Sequence, residues 1–457
     1  MYSSHLIHIV RTSNLAEYRP PNRRTLANKI LPKVHEEILD ARRQDLDGKP
    51  SIILVDSVRN KSNKTKVLTY TIRNDTVRQA FLIAFDISHE KEDGPTIASY
   101  TEQAIQYAKD RLNTDVVAVI TDNDSKIKRG VSPARNADGE ALISVTCPSH
   151  SGNLLMKSLI PKTLVTNSRT VANAFSEPKA IARIRRLRGT MMKNYPDTRF
   201  CYIIRLSLSI VTNLHILRQI CEDENVGISD EVKQLLQSED FVRKITVCTM
   251  LLEPLSNFII RCQDPEVTQA EAVQMWLNLH SEGPNLQALL IDRMRRALPD
   301  AAFAAFLLHP GMRRDSLDDV QQQRAIDYIL AHLNPDDNEQ LEVEIRRELK
   351  GYLNIRPADD DDDPDGDQRF AELAESELIQ SRDIPAEVYW DLTGGMLLNI
   401  ARLAKKLILL PSGTGLIESF FSHWAYVHDV YKNRLGHDRF CQLVDCQYTL
   451  PKRTTIN

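Results

Sequence analysis

The sequence predicts an α/β fold: a mixed sheet built in the chain order β-β-β-α-β, followed by a long all-helical stretch. Three observations carry this. Three short runs rich in β-branched residues lie close together with turn residues between them. A helical pattern and one more apolar run come next. From about 165 to 410, apolar residues recur only at helical spacing.

The elements follow in order. Residues 1–50 are polar and mostly helical in pattern, broken by Tyr18 to Asn22, with Leu26, Ile30, Val34 and Ile38 forming one stripe. Ser51 to Asp56 is a short apolar run that ends in a carboxylate. Lys66 to Arg73 and Gln79 to Ile87 read as two further strands, separated by turns at Asn60 to Asn63 and at Asn74-Asp75, as in an antiparallel meander. Ile97 to Leu112 has helical spacing. Asp115 to Asp122 is a buried-type strand that again ends in Asp, and Ala141 to Thr146 is another strand, leading into Cys147. Helical patterns then cover Leu154 to Leu159, Ile203 to Ile220, Val232 to Ile259, Ala270 to Leu290, Asp300 to Leu308, Val320 to Leu333 and Leu341 to Leu353. They resume at Phe370 to Ser381, Tyr389 to Leu409 and Ile417 to Tyr431.

Composition narrows the function classes. The 457 residues are 42% hydrophobic and 26% charged, ample for a large core without metal or disulfide staples. No apolar run approaches the roughly 18–20 residues of a membrane span, and the first residues lack a secretory pattern. Seven cysteines, an odd number with no CxxC, read as free thiols in a reducing compartment. With 58 basic and 62 acidic residues the net charge is −4, so any phosphate-binding surface must be a local patch. Part of the offsetting acid is concentrated in Asp359 to Asp367, seven aspartates in nine positions.

Asp56 and Asp122 are the first candidates for chemistry. Carboxylates delivered at the same end of neighbouring strands converge, and a cation is needed to hold two such charges together. Mg²⁺ suits carboxylates combined with phosphate oxygens. Two such ions roughly 3.5–4 Å apart can activate a water and stabilise a leaving phosphodiester oxygen. The alternative is that each Asp caps the turn after its strand.

Several segments together resemble the hAT superfamily of cut-and-paste DNA transposases. They are Tyr18 to Leu26, Ile53 to Asp56, Val119 to Asn123, Cys147-Pro148-Ser149-His150 with Asn153-Leu154, Thr198-Arg199-Phe200, Leu410 to Ser422, and Asn433-Arg434-Leu435. The most specific is Leu410 to Ser422, with Pro411-Ser412 followed by Glu418, Phe421 and Ser422, which resembles the family's Pro-x-Ser-x-x-x-x-Glu-x-x-Phe-Ser signature. The resemblance implies an RNase H-like core interrupted by an all-α insertion. It implies Mg²⁺- or Mn²⁺-dependent DNA cleavage and strand transfer by a triad of Asp56, Asp122 and Glu418, and a nuclear location. The gaps are 66 and 296 residues, the second being wide enough for such an insertion. The implied organisation is an N-terminal helical segment at 1–50 and a first core part at 51–164. The all-α insertion spans 165–385 and contains an acidic linker at 357–369. Core completion and a C-terminal dimerisation region, around Phe440, Gln442 to Val444 and Tyr448, follow at 386–457. Two departures stand out. Ser57-Val58 replaces the Gly-Trp that relatives commonly carry after the first Asp. No Cys precedes Cys147, so the N-terminal zinc finger of relatives is not expected. These departures keep open a second reading, a domesticated, non-catalytic nuclear protein acting through dimerisation or DNA association.

Other signals have bland alternatives. Cys147 and His150 lack the second ligand pair that structural zinc needs, so zinc is not expected. Basic clusters follow both aspartates (Arg59 and Lys61; Lys126, Lys128 and Arg129), and a third comprises Arg185, Arg186 and Arg188. They are candidates for DNA backbone contacts, or else a solvated surface. Asp361 to Glu372 resembles a calcium loop, but Pro364 and Gln368 fit it poorly and an acidic linker is expected. Trp276 is a candidate for stacking on a DNA base, with core packing as the alternative.

Overall fold

The computed structural model describes residues 21–59, 65–131, 134–137, 139–192, 201–279, 284–355, 384–395, 397–415, 417, 420–421 and 437–449. In chain order, helical turns from Arg23 run into α1 (Leu31–Leu46), then β1 (Pro50–Arg59), β2 (Lys66–Arg73), β3 (Ala80–Asp86), α2 (Gly94–Leu112), β4 (Asp115–Thr121), α3 (Ser125–Val131) and β5 (Ile143–Thr146). Helices follow: α4 (Pro148–Leu159), α5 (Lys162–Ala174), α6 (Pro178–Arg186), α7 (Tyr202–Cys221), α8 (Asp230–Gln237), α9 (Glu239–Arg261), α10 (Gln269–Leu277), α11 (Pro284–Ala297), α12 (Asp300–Leu307), α13 (Asp319–Leu333), α14 (Glu339–Ile355), α15 (Ala386–Thr393), α16 (Leu398–Leu407) and α17 (His437–Thr449). The fold is α/β, with one five-stranded mixed sheet in the order β3-β2-β1-β4-β5. Among the described residues no helix is long and apolar enough to cross a membrane.

The chain divides into two compact units. One is drawn from Met1–Val119, Arg129–Leu142 and Ile417–Asn457, the other from Ile120–Lys128 and Ile143–Leu416. The first unit is built on the meander. β1 pairs antiparallel with β2 from Ile52↔Arg73 to Arg59↔Lys66, and β2 with β3 from Val67↔Asp86 to Ile72↔Ala80, with one irregularity at Tyr70/Thr71. Ser57, Val58 and Arg59 keep pairing with Leu68, Val67 and Lys66, so β1 runs three residues past Asp56. β1 and β4 also start side by side: Gly48 N donates to Asn113 O at 2.8 Å, and Thr114 Oγ1 to Lys49 O at 2.7 Å.

Paired residues share a sheet face, because side chains alternate along a strand. One face carries Tyr70 and Phe85 and is covered by α2. Tyr70 hydroxyl and Thr101 hydroxyl lie 2.9 Å apart, and the Phe85 and Tyr100 rings are 4.5 Å apart. The opposite face carries Val58, Val67, Ala84 and Phe81, and it buries Phe420 together with Phe440 and Val444 of α17. The Phe420 ring stacks on Phe81 at 5.1 Å. Arg42 of α1 ties this layer together: it donates to Phe81 O at 2.6 Å and forms a buried ion pair with Asp445 of α17 at 2.8 Å.

The second unit is helical apart from β5 and the last residues of β4. Its centre is α12, in which every residue from Ala301 to Leu307 is buried. A helix C-terminus leaves carbonyls without intrahelical partners. Here two ring donors supply them: Tyr352 hydroxyl donates to Leu307 O at 3.2 Å, and Trp390 Nε1 to Leu308 O at 3.0 Å. Among the described residues from 162 to 416 there is no strand, only an isolated bridge between Thr268 and Pro411.

Candidate functional site

Asp56 is half-buried on the face of β1 that it shares with Val58 and, through β2, with its register partner Thr69. Its Oδ1 accepts from Ser57 N at 2.6 Å. Thr69 is wholly buried, and among the described residues its hydroxyl has no hydrogen-bond partner. Next along the strand, Ser57 hydroxyl reaches Glu92 at 3.4 Å, and Glu92 pairs with Lys66. Phe420 and Phe421, two and three residues beyond Glu418, pack on this same Asp56 face. Glu418 itself lies outside the described residues, as do Lys61, the acidic segment 357–369 and Thr198 to Phe200.

In the second unit, Asp122 follows directly after β4 and is half-buried. Its Oδ1 accepts from Asp124 N at 2.9 Å, the closed turn expected of an Asp after a strand. Asn123 reaches across to α4, donating to Ser151 hydroxyl and to Cys147 O at 3.4 Å. Burial pushes the Lys128 ammonium below its ordinary range, while the Asp122 charge pulls the other way. His150 behaves likewise: burial lowers it, Asp122 opposes, and Lys157 and Arg293 lower it further. His150 is thus acted on by Asp122 and Asp124 from one sign and by Lys157 and Arg293 from the other. Arg293 comes from α11, and its Nε is buried with no hydrogen-bond partner among the described residues. No local sequence pattern connects positions 122 and 293.

The Cys147 element and the Pro411-Ser412-Gly413 element touch. Cys147 Sγ lies 2.8 Å from Ser149 hydroxyl, and a Cβ placed on Gly413 would come within 2.9 Å of both Cys147 Sγ and Cys262 O. Only glycine fits there. Burial raises the Cys262 thiol well above its ordinary value, with Cys147 adding to the effect. Among the described residues no group of three His, Cys, Asp or Glu side chains is arranged to hold a metal ion.

Trp276 is 2% exposed, with its ring edge-on to Phe258 at 4.7 Å and its Nε1 donating to Leu290 O at 3.4 Å. Arg59, Lys126, Arg129, Arg185, Arg186 and Arg188 are exposed. The last three lie on and just beyond α6, whose Ala180 and Ile184 are buried. No protein-family profile matches the chain, and none of the curated proteins does.

Proposed function

We propose that this chain is a hAT transposase-like protein with an RNase H-like core, whose chemistry is Mg²⁺- or Mn²⁺-dependent cleavage and strand transfer of DNA phosphodiesters. One observation carries the reading. The central strands of a β3-β2-β1-β4-β5 sheet are β1, which bears Asp56, and β4, which leads into Asp122. These strands begin side by side, and the residues just after Glu418 pack on the Asp56 face. In this reading the helical region from 165 to 385 is an insertion in the core, and Asp56, Asp122 and Glu418 hold the cations. The metal supplies Lewis acidity and a water of lowered pKa. The chain's own residues then orient the DNA. Lys126, Arg129 and Arg59 are exposed near the two aspartates in sequence and suit phosphate contacts. Such a protein would act in the nucleus.

The test is nicking of supercoiled DNA with Mn²⁺, comparing the native chain with Asp56→Asn and Asp122→Asn. Native activity lost in both variants supports the triad. Equal activity in all three chains, or none in any, refutes it.

A further inference from the structure

We propose that the outward face of α9 is a self-association surface: two copies of this chain pair their α9 helices antiparallel, about a two-fold axis between Met250 and Leu251. The surface lies wholly within the second unit and is independent of the triad reading.

A surface helix of a globular protein carries one apolar stripe and turns its other side to water. α9 carries two. Phe241, Ile245, Leu252, Leu255 and Ile259 are buried and form its inner face. On the outer face Val247, Met250, Leu251 and Pro254 recur at i, i+3, i+4 and i+7, and all four are exposed, Met250 at 68%. Single exposed apolar side chains need no explanation, but a contiguous run marks an interaction surface. Helical spacing places no charged residue on this face between Lys244 and Arg261, since Glu253 falls outside it. Beside the stripe, Leu251 and Pro254 join Leu286 and Leu290 of α11 in walling a dimple lined by apolar side chains alone.

The occupant follows from the symmetry of the pattern. About the stated axis Met250 meets the second copy's Leu251, and Val247 meets its Pro254. The same register sets Asp240 against Arg261 at both ends of the seam. Both are exposed and of opposite sign. Within their own chain they make exposed pairs, Asp240 with Arg243 and Lys244, and Arg261 with Asp264 at 3.5 Å. A parallel pair would instead set Asp240 against Asp240 and Arg261 against Arg261. Met250 is unbranched and fills irregular gaps well, and this register brings it to the rim of the dimple beside the second copy's Leu251. A seam of one helix falls short of the roughly 1,200 Å² of a standard interface, so the dimer is weak.

The test is sedimentation velocity on the full chain from micromolar to sub-millimolar concentration. The variants are Met250→Lys, Leu251→Asp, Asp240→Lys, Arg261→Glu and the Asp240→Lys/Arg261→Glu double. The changed side chains are all exposed, so thermal midpoints should stay near native. The native chain should show a reversible monomer–dimer equilibrium. Met250→Lys and Leu251→Asp should each weaken it by roughly tenfold or more. Each single charge reversal should weaken it by roughly three- to tenfold, and the double reversal should restore it. If one apolar-to-charged variant fails to fold, the other decides. A native chain that stays monomeric throughout overturns the proposal, as does a dimer that Met250→Lys and Leu251→Asp leave intact. A dimer that ignores the single reversals, or that the double reversal does not restore, overturns the antiparallel pairing.

Discussion

Replacing Arg42 with Met should be among the most damaging single changes in the first unit. Arg42 is 5% exposed and Asp445 is wholly buried. The guanidinium meets Asp445 Oδ1 at 2.8 Å and Oδ2 at 3.3 Å, Phe81 O at 2.6 Å and Thr449 hydroxyl at 3.2 Å. Without it, the buried carboxylate keeps, among the described residues, His35 at 3.2 Å and the Thr449 hydroxyl, and the Phe81 carbonyl loses the Arg42 donor. Breaking a buried pair from one side costs about 3–5 kcal/mol, whereas replacing both partners by apolar groups is often neutral. Arg42→Met should therefore lower the unfolding free energy in urea by about that much, and Arg42→Met/Asp445→Leu should recover most of it. Acid gives an independent check. Burial pushes the Asp445 carboxyl up, but His35 and Arg42 outweigh it and hold the carboxyl below its ordinary 3.8. A depressed carboxyl stabilises the fold above its unfolded value, and that stability is lost as pH falls through the folded value. The native chain should lose this contribution below about pH 4, and Asp445→Asn should show a shallower decline. A loss under about 1 kcal/mol in Arg42→Met, the scale of a surface pair, would refute the buried-pair account.

Two further outcomes are expected. Trp276→Ala should destabilise the chain by about 3–5 kcal/mol in urea unfolding, because a 2%-exposed ring packed on Phe258 leaves a cavity. A near-neutral result would mean that the ring is available for stacking. Reversing Arg185, Arg186 and Arg188 together to Glu should weaken binding to duplex DNA and flatten its salt dependence by about one unit of slope per lost phosphate contact, with the thermal midpoint nearly unchanged. Unchanged DNA affinity would make this stretch a solvated surface.

The strands were legible because each is a local pattern. Lys66–Arg73 falls where β-branched alternation puts it, and Asp115 to Thr121 where an uninterrupted apolar run does. The end of β1 was not legible, because Ser57, Val58 and Arg59 extend the strand by pairing with residues of β2, and nothing in their own sequence marks it. Helices were found more easily than the breaks between them. The apolar pattern from Val232 to Ile259 reads as one helix, yet Ser238 starts a new one, with its hydroxyl accepting from Phe241 N at 3.3 Å. Ser238-Glu239-Asp240 is an N-cap signature that the periodicity masks. Likewise Ala270 to Leu290 divides into α10 and α11, and the pattern starting at Tyr389 divides at Gly394. The Cys147 and Pro411 elements stand out in the sequence as motifs, but the reach of Gln269 to Thr146 and Pro411 spans more than a hundred residues, and such distances leave no local periodicity.

The C-terminal helix limits how two copies of this chain would associate. Sequence alone leaves Phe440, Val444 and Tyr448 open to either a partner or the chain's own core. In the structure Phe440 and Val444 are buried against Val67, Phe81 and Phe420, and Asp445 is held by Arg42. The outer side of α17 presents Asp438 and Arg439, both exposed, and Arg439 already donates to Asn28 at 2.9 Å. A second copy docking on that side of the helix would meet these two charges. Exposed charge pairs contribute little each and are screened by salt. An association that used the Asp438 and Arg439 side of α17 would thus be salt-sensitive.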